Sequence, residues 1–104
     1  MSVRTVLLYP YKAGAVFNIE YYLKNHMPLV SKLYNPYGLE HWEVVEFTAE
    51  DCPAYVVQTT LHWKTRDQLA AANMSEGGKQ VFGDIKNFSE VPPIALTGDL
   101  ASKL

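Results

Sequence analysis

With 104 residues, 48% of them hydrophobic, the chain has the size of one small domain and enough apolar content for a real core, unlike a disordered sequence. Nine basic against eleven acidic residues leave a net charge of −2 with no basic cluster, so the electrostatic footprint of nucleic-acid binding is missing. A single cysteine, Cys52, excludes an internal disulfide, and no Cys/His grouping has the spacing of a structural zinc site.

Val3 to Tyr9 (VRTVLLY) is rich in β-branched and aromatic residues and stops at Pro10, which predicts a first strand. It opens without a charged and apolar signal segment, and no apolar run approaches the roughly 18 residues of a membrane span. The expectation is a soluble cytoplasmic protein, in which the sequons at Asn73 and Asn87 carry no meaning.

After a short connection, Asn18 can cap a helix running to about Tyr34. Ile19, Tyr22, Leu23, His26, Val30 and Leu33 recur at three- and four-residue spacings, a stripe facing a core. His26 stands one turn from Tyr22, so imidazole and phenol can meet on one face. Pro28 removes a backbone donor and crowds the carbonyl of Lys24, at a cost of about 3 kcal/mol in a helix interior. An imidazole on the core stripe beside a helix break departs from the easiest way to fold, as functional sites do. A histidine on an apolar face can equally be a satisfied core residue.

Asn35-Pro36-Tyr37-Gly38 terminates this helix. Leu39 to Phe47 alternates loosely and predicts a second strand, with His41, Glu43, Val45 and Phe47 on one face and Trp42, Val44 and Glu46 on the other. A polar turn over Thr48 to Ala54 leads into Tyr55 to Trp63 (YVVQTTLHW), the clearest strand in the chain. Thr65 and Gln68 form a capping box opening a helix that ends near Met74. Ser75-Glu76-Gly77-Gly78 is expected to interrupt it, with a helical period resuming from Lys79 to Asn87. Pro92-Pro93 then precedes a last short strand, Ile94 to Thr97.

The order β-α-β-β-α-β is the ferredoxin-like, split βαβ pattern: an α+β domain spanning 1–104, with a four-stranded antiparallel sheet and both helices on one face. Neither face of the third strand is cleanly polar, so the uncovered sheet face is predicted to pair with a symmetry mate in a homodimer.

The run Phe17-Asn18-Ile19-Glu20-Tyr21-Tyr22-Leu23-Lys24-Asn25-His26-Met27-Pro28-Leu29-Val30 resembles the signature of the EthD family, named for ethyl tert-butyl ether degradation. Glu76-Gly77-Gly78-Lys79-Gln80, then Asp84-Ile85 with Asn87-Phe88, and the proline-led last strand agree with it, and the resemblance spans Val3 to Asp99. Asn18 departs from the aspartate common in that family, although either residue caps a helix. The resemblance implies a dimeric α+β barrel, a role in oxidative ether degradation or in polyketide-type chemistry, and Asp84 as partner to one ring nitrogen of His26.

Two functions follow. One is a cofactor-free enzyme, acid/base or oxidoreductase in type, binding a small hydrophobic or aromatic molecule between helices and sheet. His26 would transfer the proton, with Tyr22 and Asp84 beside it. Tyr9, Tyr37, His41, Trp42, Trp63 and Phe88 would line the pocket, although each also suits a core or an interface. The other function is a non-catalytic accessory protein supporting a partner oxygenase. One histidine without a further cofactor motif is poor support for a haem ligand. No nicotinamide fingerprint or phosphate loop is present, and Cys52 has no base near it in sequence.

Overall fold

The computed structural model describes residues 2–48, 50 and 54–104. Strand β1 (Val3–Pro10) is followed by a one-turn helix α1 (Ile19–Tyr21), a wide π-helical turn (Tyr22–His26) and helix α2 (Met27–Tyr34). A 3-10 turn (Asn35–Tyr37) leads to β2 (His41–Glu46) and β3 (Tyr55–Trp63). Helices α3 (Arg66–Met74) and α4 (Glu76–Asp84), a second 3-10 turn (Ile85–Asn87) and β4 (Ile94–Asp99) complete the order. All strand pairs are antiparallel, in the spatial order β2-β3-β1-β4. This is an α+β, ferredoxin-like fold. The polar turn expected over Thr48 to Ala54 lies partly outside the described residues, and Cys52 and Pro53 lie wholly outside them.

Strand alternation decides what the two faces do. Val3, Thr5 and Tyr9 of β1 and Val57, Thr59, Leu61 and Trp63 of β3 are buried on the face that meets the helices. On the outer face, Val45, Ile94 and Leu96 stay exposed. All six residues of β4 are exposed, so this strand forms an open edge of the sheet.

The expected stripe on the first long helix holds at Tyr22, His26 and Val30 but not at Leu23, which is exposed, while Met27 is buried. The cause is the wide turn. The Met27 N–H bonds to the Tyr22 carbonyl, five residues back, and this inserts one extra residue into the turn. The extra residue rotates Leu23, Lys24 and Asn25 outward and brings both His26 and Met27 inward. Pro28 then falls in the first turn of α2, where the ring is tolerated. The irregularity absorbs the proline and lets Tyr22 and His26 share the core face.

The caps follow the sequence chemistry. Asn18 Oδ1 accepts the Tyr21 N–H at 3.0 Å, and the Thr65–Gln68 capping box is complete. The interruption expected over Ser75 to Gly78 is confined to Ser75; Gly77 and Gly78 lie in the first turn of α4, capped by Ser75 Oγ, which accepts the Gly78 N–H at 3.0 Å. A side chain at Gly78 would collide with the carbonyl oxygens of Ala72 and Asn73, so its absence allows α4 to start hard against the end of α3.

Candidate active site

Asp84 ends α4 and His26 ends the wide turn, and packing of these elements brings them together. Asp84 Oδ2 lies 2.9 Å from His26 Nδ1. Its other oxygen, Oδ1, accepts the Tyr21 hydroxyl at 2.7 Å and Asn87 Nδ2 at 2.8 Å. The imidazole packs against two aromatic rings, with the Tyr22 centroid 5.2 Å away at 16° and Phe88 at 4.5 Å. The ring is packed on one side by this aromatic pair, whose own centroids are 4.8 Å apart, and is tethered at one nitrogen.

Burial pushes the His26 pKa down from 6.5, and the hydrogen bond and charge of Asp84 offset only part of that. For Asp84, burial pushes upward, but the hydrogen bonds from Asn87, His26 and Tyr21 prevail and its pKa is lowered. Near neutral pH the pair is therefore a carboxylate accepting Nδ1–H from a neutral imidazole. Nε2 then carries the lone pair, and it has no hydrogen bond among the described residues. A neutral imidazole in this tautomer can accept a proton at Nε2, and the carboxylate at Nδ1 stabilises the cation that forms.

His26 lines a cavity of about 290 Å³ between the helices and the inner sheet face. Leu7, Val30, Leu61, Val81, Phe82 and Ala95 give it apolar walls, and none of its lining residues is Asp, Glu, Lys or Arg. Its mouth lies at the β4 edge, where Phe82, Ala95 and Thr97 are exposed. Its floor is polar but mostly self-satisfied. Tyr22 Oη and Thr59 Oγ1 share a hydrogen bond at 2.6 Å, and the Tyr34 hydroxyl donates to Asn73 Oδ1 at 3.2 Å. The Tyr9 hydroxyl and Thr5 Oγ1 are buried without a partner among the described residues. Burial raises the pKa of Tyr22 and Tyr9, and that of Tyr34 to about 12, so all three phenols stay protonated.

The sequence-derived candidates divide cleanly. Tyr9, Tyr22 and His26 line the cavity, and Asp84 stands behind His26. Tyr22 stacks on the imidazole, while its hydroxyl is taken by Thr59. The other proposed wall residues lie outside the lining. Phe88 packs against His26, and Trp63 is fully buried against Tyr34. Tyr37 is exposed on the 3-10 turn, Trp42 donates to Ser31 Oγ at 2.7 Å, and His41 stands on the outer sheet face beside His62. Burial of an aromatic does not say whether it faces a void. Sequence reasoning missed Tyr21 and Asn87, which hold the far oxygen of Asp84; the i, i+3 spacing of Asp84 and Asn87 was the available signal.

No family model and no curated protein sequence matches this chain. An EthD-like protein from Ralstonia eutropha superposes with a TM-score of 0.86 at 23% identity, covering 99% of this chain and 95% of the other. The fold is that of the EthD-like proteins. An ethyl tert-butyl ether degradation (EthD) family protein from Bacillus halodurans has the same fold, with a TM-score of 0.77, 20% identity and coverage of 96% and 99%. SnoaB, a cofactor-independent oxygenase from Streptomyces nogalater, aligns with a TM-score of 0.76 at 9% identity, over 99% of this chain and 96% of its own. At these identities the EthD-like likeness is one of fold, and chemistry has to be argued from this chain's own residues.

Proposed function

We propose that this protein is a cofactor-free acid–base catalyst that binds a small, uncharged hydrophobic or aromatic molecule and removes a proton from it through His26 Nε2. The observation that carries this reading is the arrangement of the imidazole: Nδ1 tied to Asp84 and the ring on the wall of an apolar cavity. Asp84 selects the tautomer, Tyr21 and Asn87 hold Asp84, and Tyr22 and Phe88 pack against the ring. The lack of a charged lining residue favours a neutral ligand, since a carboxylate or phosphate would enter without a counter-charge.

Removing a proton from a phenol or from the carbon beside a carbonyl yields an electron-rich anion. That anion is a common starting point for lyase, cyclase and oxygenase chemistry, and the last of these is the activity named for SnoaB. The outer sheet face supports a further part of the reading. Val6, Leu8, Val45, Ile94 and Leu96 lie there in register, and burying them against a second copy would form a homodimer.

A substrate-independent test is hydrogen–deuterium exchange at the α-carbon of 2-tetralone, a neutral two-ring ketone, followed by proton NMR in D₂O. The protein should accelerate exchange, and His26→Gln should lower that acceleration by about 100-fold or more. Binding of the ketone without accelerated exchange would favour the accessory, ligand-holding function instead.

A further inference from the structure

The outer face of the sheet carries a second cluster of side chains, on the opposite side from the cavity. His41 of β2 and His62 of β3 are directly paired across the strands, and Glu43, two residues on, shares their face. The two imidazoles stack with centroids 3.8 Å apart at 25°. Glu43 Oε1 lies 2.8 Å from His62 Nε2, and its Oε2 lies 3.9 Å from His41 Nε2. One ligand atom from each of the three residues lies within 4.8 Å of the other two. Arg4 pairs with His62 from the β1 side, yet its guanidinium donates to the Val3 carbonyl at 3.2 Å and Glu43 turns to the imidazoles.

We propose that His41, Glu43 and His62 form a binding site for a divalent transition-metal ion, with zinc as the fitting cation. Two imidazole nitrogens and one carboxylate oxygen are the donor set that borderline cations prefer, whereas magnesium and calcium take oxygen ligands. The three donors leave a fourth position for water or an exogenous ligand. His41 and Glu43 side chains are 62% and 56% exposed in the single chain. His62 is the anchored ligand, with its side chain only 11% exposed.

Loading the ion has an identifiable cost. In the free cluster His62 Nε2 lies 2.8 Å from Glu43 Oε1, and its Nδ1 is buried without a partner among the described residues. Coordination through Nε2 leaves the ring proton on Nδ1, where it finds no acceptor among the described residues. The expected affinity is therefore weaker than that of a closed four-ligand structural site. Glu43 stands in the same cross-strand row as Val6 and Leu96, so the cluster borders the apolar patch assigned to the dimer, with His41 and His62 on the side towards the end of the sheet.

The test is titration of the untagged, EDTA-stripped full chain with Co²⁺ and then Zn²⁺, read by visible absorption, calorimetry and thermal melting. One Co²⁺ per chain with tetrahedral d–d bands, displaced by Zn²⁺, is the expected result, together with a Tm raised by Zn²⁺ through mass action. His41→Ala and His62→Ala should each weaken binding at least ten-fold, and Glu43→Gln should weaken it too, while Glu40→Gln on the neighbouring surface should not. Absence of uptake at millimolar Co²⁺ would overturn the proposal. So would uptake that survives the His41→Ala/His62→Ala double substitution.

Discussion

His26 Nδ1 and Asp84 Oδ2 lie 2.9 Å apart although 58 residues separate them in the chain. The contact ties the wide turn after α1 to the end of α4, on the wall of the apolar cavity. It makes the tautomer of His26 a property of the fold.

The pair should make the protein sensitive to acid in two steps. The folded-state pKa of His26 lies below 6.5, so the unfolded chain takes up that proton first and stability falls as pH drops below 6.5. Asp84 is depressed below 3.8; its contribution is present above 3.8 and is lost as pH falls through the lower folded value. Tm measured against pH should therefore decline in both windows, and a folded His26→Gln variant should lose the upper step. Asp84→Asn removes the group that partly restores the imidazole's basicity, so NMR titration should place His26 lower still in that variant.

Two phenols in the cavity should respond oppositely to loss of the hydroxyl. Tyr22→Phe strands the buried Thr59 hydroxyl and should cost about 1–2 kcal/mol. Tyr9→Phe removes a hydroxyl that has no partner among the described residues, so it should be neutral or stabilising. Urea unfolding of both variants reads the contrast directly.

The α3–α4 junction leaves no room for a methyl group. Gly78→Ala would press a Cβ onto the Ala72 and Asn73 carbonyl oxygens and should cost about 1–3 kcal/mol. Gly83→Ala, with nothing within 4 Å of the added atom, should stabilise instead. Thermal melting of the two variants separates close packing from simple helix propensity.

Association through the outer sheet face is tested by charge. Val45→Glu and Leu96→Glu put carboxylates on exposed apolar positions that the core does not use. Light scattering after size exclusion should find the wild type as a dimer and the double variant as a monomer with unchanged circular dichroism.

Much of the fold is legible because it is written locally. The alternation in YVVQTTLHW marks β3 to the residue, and the Thr65–Gln68 box marks the start of α3. The wide turn is not legible in this way. Pro28 signals a disturbance in the helix, but whether it kinks the helix, ends it or is absorbed by an inserted residue depends on how tightly Tyr22 and His26 are held by the sheet and Phe88. The candidate site divides along the same line. His26 and Tyr22 follow from helical spacing, whereas the position of Asp84 beside them was implied by family resemblance, because no local period links residues on different helices. Phe88, Trp63 and Trp42 read as pocket walls in sequence, yet one backs the imidazole, one fills the core and one bonds Ser31.

The most direct test of the central claim is a crystal structure soaked with small neutral phenols and two-ring ketones. Ligand density is expected in the cavity, with the ligand's acidic O–H or C–H directed at His26 Nε2 and Nδ1 still bonded to Asp84. A cavity collapsed or filled by side chains, with Nε2 bonded to a protein group, would contradict it.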